Sequence, residues 1–175
     1  MRFTFICIFL LCLSRASAQP EDFSTKWWVS FNGGVVPESN FSLSADLNIP
    51  TNHSTFLFLM GDYRSDFRGD LSERYENMGT SLGFGKWIEK RAFIATLSTG
   101  LSMDLVIEDG NYIQNGTNGT TYYTTAYGIE FGLPIRLSAL LKSKWVGLGI
   151  HALYKLTLYD SYGSIGISLA FGRFA

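Results

Sequence analysis

Residues 127–136 read Tyr-Gly-Ile-Glu-Phe-Gly-Leu-Pro-Ile-Arg, and every second residue from Tyr127 is large and apolar. The same alternation recurs in residues 146–156 and 164–172. A period of two places alternate residues on opposite faces of a β-strand. One face is apolar, whereas the other combines Gly and Ser with Glu, Arg, His and Lys. Because that second face is a poor protein core, we expect the apolar face to meet lipid, as in a transmembrane β-barrel.

Similar patterns upstream predict five more strands, which makes eight in all. Their predicted bounds are Lys26–Val36, Phe41–Ile49, Ser54–Phe67, Tyr75–Lys86 and Arg91–Glu108. The register of the third is ambiguous because residues 56–60 are apolar on both faces. Lipid offers no partner to an unpaired amide, so the strands must close. The predicted fold is therefore an all-β, eight-stranded, antiparallel up-and-down transmembrane β-barrel.

An even number of strands places both termini on one side, which we expect to be the periplasm. The predicted periplasmic turns are Pro50–His53, Trp87–Lys90 and Ser138–Lys144. The predicted outer loops are Arg68–Arg74, Asp109–Thr120 and Tyr159–Tyr162. The longest of these connections lies on the outer side, as in other barrels of this kind.

The first 18 residues have the pattern of a cleaved signal peptide. Arg2 precedes the apolar stretch Phe3–Leu13, and Ala16-Ser17-Ala18 provides a small-x-small cleavage site. Residues 19–175 then form one domain, the barrel, exported to the outer membrane. Cys7 and Cys12 lie in the signal, so no thiol chemistry is expected in the mature chain.

The charge of the mature chain argues against several kinds of partner. With Arg2 and Arg15 removed from 14 basic residues, 12 Lys and Arg oppose 15 Asp and Glu, a net charge of −3. This balance predicts no nucleic-acid binding. The expected partners are outer-membrane lipid, the barrel-assembly machinery and an unknown surface partner.

The whole mature chain resembles the small outer-membrane β-barrel domain family of Bacteroidetes-type Gram-negative bacteria. This family comprises eight-stranded barrels of the OmpA-transmembrane and PorT-like kinds. The resemblance is carried by Gly132-Leu133-Pro134-Ile135-Arg136, Gly147-Leu148-Gly149-Ile150 and the closing run Ser164–Phe174. It implies the fold and an outer-membrane location, whereas the tasks of family members are diverse. The chain departs from many such barrels by ending in Ala175 rather than in an aromatic residue.

Residue parity divides the candidate site residues into two sets. Six polar residues are predicted to form a lumen network, namely Asp46, Asp104, Glu130, Arg136, His151 and Lys155. Five apolar residues are predicted to face lipid, namely Leu133, Leu148, Ile150, Leu169 and Phe171. A hairpin centred on residues 138–144 would place Glu130 directly opposite His151, and we expect these two side chains to pair.

No catalytic, cofactor or metal site is predicted. A Ser-His-acid triad acting on lipid needs its His at the outer rim. Of the two histidines, His53 falls in a predicted periplasmic turn and His151 points into the lumen. Asp62, Asp66 and Asp70 are interpreted as a solvated rim rather than as metal ligands.

The sequence thus predicts an integral, Gram-negative outer-membrane barrel with a filled lumen and a structural or surface-binding role through its outer loops. One alternative is porin-like, narrow transport of a small or amphipathic molecule. Another is a secreted, lipocalin-like barrel, in which the apolar face would point inward around a ligand.

Overall fold

The computed structural model describes residues 26–37, 40–52, 54–65, 75–115, 121–158 and 161–174. These residues form eight β-strands: β1 Trp27–Val36, β2 Asn40–Pro50, β3 Thr55–Ser65, β4 Tyr75–Lys90, β5 Phe93–Asn115, β6 Thr121–Lys142, β7 Val146–Thr157 and β8 Tyr162–Arg173. Each strand pairs antiparallel with the next, and β8 pairs with β1 to close the sheet. The predicted eight-stranded antiparallel barrel is confirmed. Among the described residues, no helix is long and apolar enough to cross a membrane.

The stagger of the strands determines how wide the barrel is. Following directly opposed partners around the barrel from Thr96 leads back to β5 at Val106, ten residues further along that strand. In a closed barrel, strand number and stagger together set a tilt of about 35–45° and the diameter. Eight strands leave an interior just wide enough for side chains.

The predicted turn at residues 87–90 is wrong, and the predicted connections at residues 138–144 and 109–120 are too long, because the strands continue into them. Residues 87–90 extend β4, so the β4–β5 turn is only Arg91-Ala92, where Arg91 has a left-handed φ of 51°. β6 runs on to Lys142, and β5 runs on to Asn115. In each extension, backbone pairing with the neighbouring strand continues into residues whose composition favours a turn or loop.

The barrel has two distinct ends. The turn end carries the start of β1, the end of β8 and the short connections that follow β2, β4 and β6. The loop end carries the other strand ends. Residues 66–74 and 116–120 lie outside the described residues.

The strand faces differ as the alternation predicts. Outward residues are large, apolar and exposed; Leu137 and Ile150, for example, are 55% and 64% exposed. Inward residues are buried and are mostly polar or small. This arrangement is the reverse of the lipocalin-like alternative, in which the apolar face lines the interior.

Candidate functional site in the barrel interior

The interior at the turn end is closed by aromatic side chains. Trp28 lies at the centre, with ring centroids 5.6 Å from Phe56, 6.0 Å from Trp87 and 6.1 Å from Phe174. Ile94 and Leu140 complete this group, whose members are at most 3% exposed. These six residues are called the apolar plug below. Phe174 points inward, opposite to Phe171, so the residue that follows β8 helps to close the interior.

Beyond the apolar plug, Arg136 of β6 organises the first polar layer. Its Nη1 lies 2.7 Å from Asp46 Oδ2, and its Nη2 donates to Asn48 Oδ1 at 2.8 Å. The guanidinium also lies 4.8 Å from the ring centroid of Phe58, a cation–π contact. Asp46 accepts further hydrogen bonds from Asn32 and Asn48. The charges in this layer therefore balance one for one.

Lys155 of β7 organises a second polar layer nearer the loop end. Its Nζ donates to both carboxylate oxygens of Asp62, at 2.9 and 2.8 Å, and to Asp104 Oδ1 at 2.6 Å. The Tyr162 hydroxyl donates to Asp62 Oδ2 at 3.1 Å, and Ser102 donates to Asp104 Oδ2 at 3.3 Å. Lys155 and Asp104 have no exposed surface, so the cation uses its three donors on two desolvated carboxylates.

Gly79 of β4 leaves the space that the second layer occupies. A Cβ added there would overlap Asp104 Oδ1 and would lie 2.6 Å from Lys155 Nζ and 2.7 Å from Asp62 Oδ1. The absence of a side chain at this position therefore allows the charged cluster to bridge the barrel.

The structure places five of the six predicted lumen residues in the interior with at most 4% exposure: Asp46, Asp104, Arg136, His151 and Lys155. Glu130 is only partly buried and lies opposite Asp104, while His151 lies opposite Ser138. The predicted pairing of Glu130 with His151 is therefore wrong. The β6–β7 turn lies at residues 143–145, which shifts the hairpin pairing by eight residues from the predicted one.

The interpretation of Asp62 as part of a solvated rim is wrong. Asp62 is 7% exposed and belongs to the Lys155 cluster, because β3 turns Phe56, Phe58 and Met60 inward and Asp62 shares their parity. The parity of Asp62 along β3 is the sequence signal that could have identified it as a lumen residue. This signal is concealed because residues 56–60 are apolar on both faces of the strand. His53, Asp66 and Asp70 lie outside the described residues, as do the predicted signal segment and the predicted Arg68–Arg74 loop. In the part of the chain that the structure describes, no group of three His, Cys, Asp or Glu residues could hold a metal ion.

The five residues predicted to face lipid all lie on the outer face. They are 39–64% exposed: Leu133, Leu148, Ile150, Leu169 and Phe171. Leu148 is two residues from the start of β7, so it lies near the turn end rather than at mid-height. Ile150 lies closer to the middle of the strand.

Strands β5 and β6 extend beyond their neighbours at the loop end. Pairing of β5 with β4 ends at Glu108 opposite Tyr75, and pairing of β6 with β7 ends at Gly132 opposite Thr157. Among the described residues, β5 beyond Glu108 pairs with residues 121–125, and residues 126–131 of β6 pair with β5 on one side only. We call this extension, residues 109–115 and 121–131, the β5–β6 ribbon.

The fold belongs to the architectural class of eight-stranded antiparallel barrels found in outer-membrane proteins. The N-terminal β-barrel domain of Pseudomonas aeruginosa OprF is similar, with a TM-score of 0.60 and 10% identity over 85% of this chain and 98% of that one. A major outer membrane protein from Thermus thermophilus has a TM-score of 0.59 and 11% identity, covering 85% and 99%. Neisserial surface protein A has a TM-score of 0.58 and 9% identity, covering 84% and 94%. No family model and no curated protein matches this sequence.

Proposed function

We propose that this chain is an integral outer-membrane β-barrel with a filled interior, and that it acts structurally or by binding at the cell surface. The observation that carries the proposal is the occupied lumen beneath an apolar outer wall. The apolar plug closes the turn end, and two charged layers bridge the rest. Solved outer-membrane barrels with the same architecture support the location.

Transport through the lumen is disfavoured by this interior. A path would have to displace the apolar plug and separate Lys155 from two carboxylates, leaving charges buried without partners. We expect no discrete channels when the purified barrel is added to planar lipid bilayers. Steady unitary conductance from a preparation shown to be folded by heat-modifiable gel migration would contradict the proposal and favour the narrow-transport alternative.

The same interior supports a non-enzymatic role. His151 is buried in the lumen between Ser138 and Gly166 on the neighbouring strands, where an acyl chain in the surrounding lipid does not reach it. Mass spectrometry of lipid A from cells with and without the protein tests this point. We expect identical acylation patterns, and a changed number of acyl chains would contradict the proposal.

The β5–β6 ribbon is the part of the described chain that we propose to bind a surface partner. Tyr127 and Ile129 are 72% and 66% exposed there. With Cys7 and Cys12 removed with the signal, Tyr127→Cys would provide a single thiol. We expect a membrane-impermeant maleimide to label it on intact cells, while the matched Ser143→Cys at the turn end is labelled only after permeabilisation. The reverse pattern would contradict a surface-exposed ribbon.

A further inference from the structure

The turn end carries a group of exposed cations that the lumen chemistry does not use. Lys90 ends β4, Arg91 forms the turn after it, Lys144 lies in the β6–β7 turn and Arg173 ends β8. All four side chains are exposed. They are called the basic rim below.

Backbone contacts show that the basic rim is continuous. The Lys142 amide donates to the Ala92 carbonyl at 2.7 Å, which joins the β4–β5 turn to the end of β6. The Gly172 amide donates to the Trp145 carbonyl at 3.0 Å, and the Phe174 amide donates to the Lys144 carbonyl at 3.3 Å. The four cations thus lie along one arc of the turn end.

The rim is not neutralised by carboxylates in the described part of the turn end. The one carboxylate there is Glu89, which faces the interior and forms salt bridges with Lys26, at 3.3 Å, and Lys142. The described loop end has the opposite character, with Glu76, Glu108 and Glu130 near its edge. Among the described residues, the exposed Lys and Arg side chains are therefore concentrated at the turn end.

Exposed tryptophans lie at the same level as the basic rim. Trp27 pairs with Arg173, and Trp145 follows Lys144; their side chains are 46% and 53% exposed. Lys144 Nζ lies 5.8 Å from the centroid of the Trp145 ring. Outward tryptophans typically mark the headgroup level of a membrane, so the cations are placed where lipid phosphates lie.

We infer that the basic rim binds the phosphate groups of anionic phospholipids in the leaflet that surrounds the turn end. Charge complementarity selects this occupant, since a zwitterionic headgroup offers no net charge to an arc of four cations. Each Lys or Arg near an anionic lipid surface contributes about five-fold to association. The inference concerns lipid selection and is independent of any surface-binding role of the loop end.

The test uses tryptophan quenching by brominated lipids in vesicles of the same composition in both leaflets. A folded Trp27→Phe barrel leaves Trp145 as the exposed reporter, and a Trp27→Phe/Trp145→Phe barrel supplies the background from buried Trp28 and Trp87. Competition between brominated phosphatidylglycerol and brominated phosphatidylcholine gives their relative association constant at the rim. We expect a preference for phosphatidylglycerol of about five-fold or more at low salt, weakening as ionic strength rises.

Two rim variants make the test specific to charge. Lys90→Gln/Arg91→Gln/Lys144→Gln/Arg173→Gln should reduce the ratio to about one, whereas Lys90→Arg/Arg91→Lys/Lys144→Arg/Arg173→Lys should keep it. Folding of both is checked by heat-modifiable migration. Equal association of the two lipids with the reference barrel, or an unchanged preference in the neutral variant, would overturn the inference. The inference would also be overturned if the barrel bound to peptidoglycan sacculi and showed no preference for phosphatidylglycerol.

Discussion

At the scale of single residues, Lys155 is the group on which the interior depends most. It is the only cation in direct contact with Asp62 and Asp104 among the described salt bridges, and it has no exposed surface. Lys155 therefore stabilises the fold mainly because it compensates two buried carboxylates that would otherwise be unpaired. The net energy of the ion pairs contributes less.

Replacing Lys155 with Met keeps most of its length and removes its charge. We expect the free energy of unfolding to fall by about 3–5 kcal/mol, measured by denaturant titration of the folded barrel in lipid vesicles. Adding Asp62→Asn and Asp104→Asn to this variant should restore most of the loss, because the carboxylate charges are then gone as well. A single variant within about 0.5 kcal/mol of the parent would contradict this account of the cluster.

Gly79 of β4 and Gly61 of β3 differ in the free space around them. Alanine variants at these two positions therefore test whether crowding of the Lys155 cluster lowers stability. Gly79→Ala should lower the free energy of unfolding by about 1–3 kcal/mol, because its Cβ overlaps the charged groups. Gly61→Ala should change it by less than about 0.5 kcal/mol, because nothing lies within 4 Å of a Cβ built there. The two variants are compared by the same denaturant titration, and equal effects would show that crowding of the cluster is not the cause.

At the scale of strands, the sequence predicts which face of the sheet a residue occupies much better than which residue lies opposite it on the next strand. Alternation assigns Glu130, Arg136, His151 and Lys155 to one face, because a side chain's face depends only on its parity along the strand. The partner across the ladder depends on where the turn lies. An error in the turn after β6 displaces Glu130 from His151 by eight residues yet preserves both faces, since the shift is even.

The ion cluster could be predicted only in part for the same reason. Lys155 and Asp104 lie on β7 and β5, which are not adjacent, and Asp62 comes from β3. Contacts across a lumen depend on the stagger of the whole barrel, which no local pattern encodes. Asp62 is further concealed by the apolar interior positions that precede it, Phe56 and Phe58.

The outer face of β7 makes a depth-dependent prediction. Ile150 lies near the middle of its strand and is 64% exposed. Ile150→Arg should lower the free energy of unfolding in bilayers by about 2–4 kcal/mol, because a cation at the bilayer midplane is poorly solvated. Leu148→Arg, closer to the turn end, should cost less, and Ser143→Arg in the turn should cost about 0–1 kcal/mol. A cost that does not decline from Ile150 towards Ser143 would contradict the assigned depth.

At the scale of the whole molecule, the barrel is inverted relative to a soluble protein. Its outer wall is apolar over most of the strand length, while charges and amides fill its centre. Soluble monomers rarely expose contiguous apolar patches larger than a few hundred Å². Closure of β8 on β1 removes the sheet edge that lipid would leave unpaired. Both properties are expected of a barrel that spans a lipid bilayer.

Spin-label accessibility in reconstituted bilayers shows whether the apolar outer wall faces lipid. Labels on Leu133→Cys and Ile150→Cys, with Ser143→Cys as the turn control, are compared for relaxation by oxygen and by an aqueous nickel chelate. We expect the Leu133 and Ile150 labels to respond to oxygen and to be shielded from the chelate, while the Ser143 label is accessible to the chelate. Labels at Leu133 and Ile150 that respond to the chelate and not to oxygen would contradict a lipid-facing outer wall.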